Sequence, residues 1–204
     1  MTSPHLPTGP DRVSERVVPS LLRLARAVDG ALRSGGSAFG LSPAQAETLR
    51  FAGTVRPDMA TVGQLARVLG VRHATVVGIV APLVSRGLLE RRPHSFDGRQ
   101  RTLCLTDAGQ DLRVRLDELS RELALALDRL DPADAAGLET GIGAIVAALR
   151  SSGALVIAAP CAGCIHFRPD AAPGTASPHR CELLQRYLTT IETRMACPEH
   201  QPAG

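Results

Sequence analysis

Between Thr61 and Gly87 the sequence spells two short helices with almost no chain between them, and this feature most narrows the fold. Thr61-Val62-Gly63-Gln64 has the spacing of a capping box. The helix it starts stops at Gly70, a residue suited to a left-handed C-cap. Only Val71 and Arg72 precede a second helix, expected from about His73 to Arg86 and closed by Gly87. A short helix, a glycine-containing turn of three residues and another helix form a helix-turn-helix. Residues 88–91 and 102–106 then flank Asp97-Gly98, a hairpin signal, and predict a two-stranded wing.

The rest of the chain reads as helical. Val17, Val18, Leu21, Leu22, Leu24, Val28 and Leu32 have helical spacing, and Ser34-Gly-Gly-Ser37 is expected to end that helix. Ser42-Pro43 predicts an N-cap and first turn for a helix running to about Ala52. Thr106 is expected to cap a long helix with Leu112, Leu116, Leu119, Leu123, Leu127 and Leu130 along one stripe. Asp131-Pro132 starts another, with Leu138, Ile142, Ile145, Val146 and Leu149 inward and Gly153 at its end. Apolar residues make up 44% of the chain but aromatics only 2%, so the core is aliphatic. That composition suits a mostly α fold and disfavours a single-strand nucleic-acid platform of stacked rings. Residues 1–13, rich in Pro, Gly and polar groups, are expected to be disordered, and they lack the apolar stretch of a signal peptide. The longest apolar run, 142–160, is interrupted by Arg150 and Ser151-Ser152-Gly153, so no membrane span is expected and the cytoplasm is the predicted location.

Charge points to the wing. Every one of the 23 basic residues is Arg, and the whole chain carries +3. Residues 62–102 hold Arg67, Arg72, Arg86, Arg91, Arg92, Arg99 and Arg101 against Glu90 and Asp97, a local +5. Double-stranded DNA is the partner such a distribution implies, because phosphate contacts fix a protein's register on the duplex. Arg72, His73 and Thr75 open the second helix, where side chains meet base edges. Arg91, Arg92 and Arg101 lie on the strands, and Arg99 at the wing tip is placed for a minor groove. The plainer alternatives are a solvated strand edge for Arg91 and Arg92, solubility for Arg99, and a surface position for His73. Asp97 is expected to shape the wing turn, and Cys104 to be a strand thiol without a role.

Several of these stretches together carry a resemblance. Leu41-Ser-Pro-Ala-Gln45, Thr61-Val-Gly-Gln-Leu-Ala66, Leu69-Gly-Val71, Leu83-Val-Ser-Arg-Gly-Leu-Leu-Glu-Arg91, Asp97-Gly-Arg99 and Leu105-Thr-Asp-Ala-Gly109 resemble the winged helix of MarR-type transcriptional regulators. The resemblance implies a MarR-like domain over 14–151, with a winged helix at 41–106 and dimerisation helices at 14–40 and 107–151. It implies a homodimer on a pseudo-palindromic operator, a repressor released by a small aromatic effector or an oxidant. The chain departs from the family in its second helix, where Val77 and Gly78 replace hydroxyl or basic residues and Pro82 removes a backbone bond to Gly78.

The tail, 154–204, is a separate problem. Four of five cysteines fall in the last 45 residues: Cys161-Ala-Gly-Cys164, then Cys181, then Cys197-Pro-Glu-His200. Sixteen residues separate Cys164 from Cys181 and fifteen separate Cys181 from Cys197. The ligand count fits one tetrahedral site of Cys161, Cys164, Cys181 and Cys197, with His200 able to replace one. Zinc is the expected metal, an iron–sulfur cluster the alternative, and a Cys161–Cys164 disulfide a third reading. A staple would compensate for the tail's few apolar residues. Residues 182–194 are expected to form an amphipathic helix. Tails of this shape accompany some MarR-like proteins.

Two other functions compete with the regulator: a metal-stapled protein-interaction module that has lost DNA binding, and a thiol–disulfide oxidoreductase using Cys161 and Cys164. Against the enzyme, no βαβ pattern sets the dithiol at a helix N-terminus.

Overall fold

The computed structural model describes residues 13–118 and 121–203. The chain divides after Pro43 into two compact units. The first is dominated by α1 (Val13–Ser37). The helix runs through the Ser34-Gly-Gly-Ser37 expected to end it. Interior glycines cost a helix only about 1 kcal/mol each. The chain turns only at Gly40 (φ 65°), after the Leu41 amide has bonded the Gly36 carbonyl at 2.9 Å. The expectation for residues 1–13 lies outside the described residues, except for Val13, which opens α1.

The second unit holds α2 (Pro43–Thr54), a 3₁₀ turn (Pro57–Met59), α3 (Val62–Leu69), α4 (His73–Ser85), β1 (Leu89–Pro93), β2 (Arg101–Leu105), α5 (Asp107–Glu118), α6 (Arg121–Leu127) and α7 (Pro132–Ser151). The tail adds β3 (Phe167–Arg168), β4 (His179–Cys181), β5 (Arg186–Leu188) and α8 (Thr190–Arg194). The start signals read from the sequence operate as hydrogen bonds. Thr61 accepts from the Gln64 amide, Thr106 from the Gly109 amide, and Asp131 from the Ala133 and Asp134 amides. Gly70 ends α3 at φ 65°. One detail differs: the Gln64 side chain does not return to cap α3 but reaches Glu199 at 2.7 Å.

Helices α3 and α4 bend by 110° across the turn, within the helix-turn-helix range. Val76, Val80 and Leu83, spaced four and three apart, are the inward face of α4. They leave Arg72, His73 and Thr75 exposed at its start. The antiparallel wing pairs Leu89 with Leu105 through Pro93 with Arg101. Behind it, the buried cluster comprises Phe51, Val55, Met59, Ala60, Leu65, Ala66, Val76, Val80, Leu103 and Cys197. Each fully buried aliphatic side chain there contributes about 1.5–3 kcal/mol.

Two expectations need correction. The apolar residues of α7 do not face inward: Leu138, Ile142, Ile145 and Leu149 are 39–45% exposed, and no residue of α7 is buried. A helix with one apolar face and no core in its own chain is a helix awaiting a cover. The helix expected over 182–194 is also absent. Gln185 takes φ 51° and breaks it, and Arg186–Leu188 pairs with β4 in a three-stranded antiparallel sheet of order β3-β4-β5. Only α8 is helical, and its capping box (Thr189 with Glu192) fixes its start.

The tail is part of the winged-helix core rather than an appendage to it. Ala196 exchanges backbone bonds with the α2 end, its amide to Thr54 and its carbonyl from Arg56, at 3.1 and 2.9 Å. That contact sets Cys197 among the core residues.

Candidate nucleic-acid interface and cysteine cavity

The seven residues expected to meet DNA, Arg72, His73, Thr75, Arg91, Arg92, Arg99 and Arg101, are all exposed on α4 and the wing. Their charges are not equally available. Arg92 pairs with Glu90, and Arg101 donates to the Gly98 and Gln100 carbonyls at 3.1 and 3.2 Å. Arg67 on α3 pairs with Glu199 of the tail. The guanidinium groups of Arg72, Arg91 and Arg99 form no hydrogen bond or ion pair among the described residues. The local charge read from the sequence is therefore partly spent inside the molecule, and three arginines keep it.

Asp97 builds the wing turn, as its place in the sequence suggests. Its Oδ1 accepts the Arg99 amide at 3.0 Å and its Oδ2 the Gln100 side chain at 2.9 Å. The bond from the Arg99 amide, then that from Gln100, holds the Asp97 carboxyl below its ordinary range. The base of the wing hangs on His94. The Phe96 and Asp97 amides both donate to its Nδ1 at 3.1 Å, so the ring proton sits on Nε2 and is donated to the Asp58 carbonyl at 2.8 Å.

Asp58 joins the wing to the tail. Its Oδ1 accepts from Arg56 Nε at 2.6 Å and its Oδ2 from Arg186 Nη2 at 2.9 Å. Arg186, on β5, also donates to Glu192 at 2.9 Å and lies 4.8 Å over the ring of wing residue Phe96. Sequence reasoning missed Arg56, Asp58 and Arg186. No local pattern marks them, because Arg186 meets Asp58 across 128 positions of chain.

The four tail cysteines come together. Cys161, Cys164, Cys181 and Cys197 line one cavity of about 10 Å³, shared with Arg56, His166, Phe167, Leu183, Leu184, Glu199 and His200. All are free thiols, so the Cys161–Cys164 disulfide reading is not what the structure holds. Among the described residues, no three His, Cys, Asp or Glu side chains are grouped as the ligands of a single ion. His200 is engaged elsewhere: its Nδ1 lies 2.9 Å from Arg150 and its Nε2 3.2 Å from the Ala162 carbonyl. Burial pushes the Cys161 thiol up to about 11 against the pull of Arg56, and raises Cys197 as well.

Cys104 lies apart from this group, 3.8 Å from the Thr102 hydroxyl on β2. Among the described residues no single helix is long and apolar enough to cross a membrane.

Residues 39–100 match the model of the MarR family. Solved structures agree on the fold. A MarR transcriptional regulator from Methanosarcina mazei Go1 superposes with a TM-score of 0.54 at 17% identity, covering 64% of this chain and 94% of its own. RV1404 from Mycobacterium tuberculosis gives 0.53 at 23% identity, covering 71% and 97%. CouR from Rhodococcus jostii RHA1, bound to p-coumaroyl-CoA, gives 0.54 at 21% identity, covering 67% and 95%. No curated protein matches the chain by sequence.

Proposed function

We propose, from the match of residues 39–100 to the MarR family model, that the protein is a dimeric, sequence-specific DNA-binding transcriptional regulator of the cytoplasm, acting as a repressor. The observation that carries this reading is the trio Arg72, Arg91 and Arg99, at the start of α4 and on the wing, whose guanidinium groups are exposed and bond to nothing among the described residues. A helix N-terminus and a hairpin of arginines are complementary to two stretches of phosphate backbone. The apolar face of α7 supplies the second half of the argument, because a partner copy covering Leu138, Ile142, Ile145 and Leu149 sets the spacing of two winged helices.

Release by a small ligand or a redox signal completes the proposal. CouR holds an aromatic CoA ester. Here a cleft of about 350 Å³ sets Arg67, Arg150 and His200 beside the apolar stretch Leu155-Val156-Ile157, a lining suited to an aromatic carboxylate. Fluorescence anisotropy on duplexes tiling the promoters of its own and adjacent genes tests the function. The expected result is one duplex bound by two chains, well above a scrambled control, and weakened by an aromatic carboxylate or by oxidation. Binding no tighter than to the scrambled duplex at low salt defeats it.

One observation favours the interaction-module reading. The exposed residues of α4 beyond Thr75 include Val77, Gly78, Ala81 and Val84, which offer little to a base edge. A duplex-independent, salt-insensitive protein partner would select that reading.

A further inference from the structure

Arg56 is 1% exposed, yet its two terminal nitrogens, Nη1 and Nη2, have no hydrogen-bond partner among the described residues. Only Nε is satisfied, by Asp58. A buried guanidinium with unmet donors is costly, because its desolvation is not repaid. Arg56 lines the cavity shared with Cys161, Cys164, Cys181 and Cys197. Asp58 cannot serve it further, since its second oxygen is taken by Arg186. Glu199, an acid on the cavity wall, accepts from Gln64 and Arg67 through Oε1. An anion made from the four sulfurs would meet the unsatisfied donors.

We propose that Cys161, Cys164, Cys181 and Cys197 hold a thiolate-ligated metal centre of net negative charge, with the buried Arg56 guanidinium as its counter-cation. Four thiolates around Zn²⁺ carry a net charge of −2, and the thiolate ligands of an iron–sulfur cluster also leave it anionic. Forming the zinc centre releases four protons from the thiols to solvent and changes no oxidation state. The sulfurs then accept from Nη1 and Nη2. His200 is not a ligand, because both its ring nitrogens are engaged; it ties the Cys197 turn to Arg150 at the end of α7. The two sources of this chemistry make opposite demands. A cavity of about 10 Å³ suits one ion, whereas four thiolates can equally serve the corners of a cluster. The centre itself stands independently of the DNA-binding reading.

The test uses the full chain purified anaerobically, with zinc, iron and acid-labile sulfide measured per chain and an absorption spectrum recorded. About one zinc in a colourless protein, or about four iron and four sulfide in a brown one, supports the proposal and names the metal. Co²⁺ offered to metal-depleted protein should give the intense thiolate charge-transfer bands of a four-sulfur site. Cys161→Ser should lower metal content at least tenfold. Since Cys197 lies in the core, Cys164→Ser and Cys181→Ser, at half-buried positions, guard against loss of fold as the explanation. Arg56→Met should speed metal loss to a chelator at least tenfold while Arg56→Lys restores part of it, with circular dichroism unchanged. Folded protein holding less than about a tenth of an equivalent of any metal, and giving no cobalt bands, overturns the proposal. Metal retained equally by Arg56→Met overturns the role of Arg56. Neither readout involves DNA, so failure here is separable from failure of the regulator reading.

Discussion

The arginines of the wing differ in availability, and that difference makes a quantitative expectation. The guanidinium groups of Arg91 and Arg99 have no partner among the described residues, Arg92 is paired with Glu90, and Arg101 braces the Gly98 and Gln100 carbonyls. Each arginine that neutralises a phosphate contributes about 0.9 to the slope of log affinity against log salt, so a dimer losing one from each protomer loses about 1.8. Raising salt from about 50 to about 200 mM should then shrink the wild-type advantage over Arg99→Ala by roughly 12-fold. Arg91→Ala should behave alike. Arg92→Ala should change the slope by distinctly less, because an arginine already held by Glu90 displaces fewer counterions from phosphate. Arg101→Ala should weaken binding at all salt concentrations, since removing it loosens the wing itself. The assay is anisotropy on one operator duplex across a salt series. Equal slopes for Arg92→Ala and Arg99→Ala, or no slope change in any variant, would refute the assignment of phosphate contacts by ion-pair status.

Other expectations follow from packing and charge. Gly109→Ala should destabilise by at least about 1–3 kcal/mol in chemical denaturation, because a Cβ there would sit 2.0 Å from the Leu88 carbonyl oxygen. Ile142→Asp, on the exposed face of α7, should leave the fold intact and shift the mass in analytical ultracentrifugation from dimer to monomer. Glu192 should contribute to acid stability. Burial raises its pKa, but bonds from the Thr189 amide and Arg186 outweigh burial and leave it below 4.5. A depressed carboxylate stabilises the fold above its unfolded pKa and loses that contribution as pH falls through the folded value. Wild type should therefore be more stable than Glu192→Gln above about pH 4.5, and that advantage should fade as pH falls below it in acid denaturation. Stripping metal from the protein should change operator affinity at least tenfold; unchanged affinity after complete removal would make the centre purely structural.

Much of this architecture was legible because its signals are local. Thr61, Gly70, Thr106, Asp131 and Asp97-Gly98 act within a few residues, so the helix starts and the wing could be placed from the chain alone. The Gly109 of the Leu105–Gly109 stretch is explained only by the structure: α5 must pass against the Leu88 carbonyl. The tail was less legible. The cysteine spacing predicted a shared site, and the four do share a cavity. The helix expected over 182–194 failed because apolar periodicity there was outweighed by the turn at Gln185 and by pairing with β4. Nothing local announced that Cys197 enters the winged-helix core or that Arg56 lies against the thiols.

The tail is tied to the helix-turn-helix, to the wing and to α7. Glu199 holds Arg67 of α3, the helix that precedes α4. Arg186 holds Asp58 and covers Phe96 of the wing, while the Asp58 carbonyl anchors His94. His200 holds Arg150 at the end of α7, the helix whose apolar residues are exposed. These ties converge on a segment of 45 residues with two buried cysteines and Leu188 as its only well-buried apolar side chains. Such a segment has little hydrophobic burial of its own to keep it in place, so its order depends on the ties and on whatever fills the cysteine cavity. A change at the thiols should therefore reach α3, the wing and α7 together, whereas a ligand in the cleft beside Leu155-Val156-Ile157 would meet Arg67 of α3 and Arg150 of α7. Glu199→Gln isolates the first tie: it frees Arg67 and should strengthen salt-sensitive DNA binding, whereas loss of the cysteine centre should alter the wing and the dimer as well.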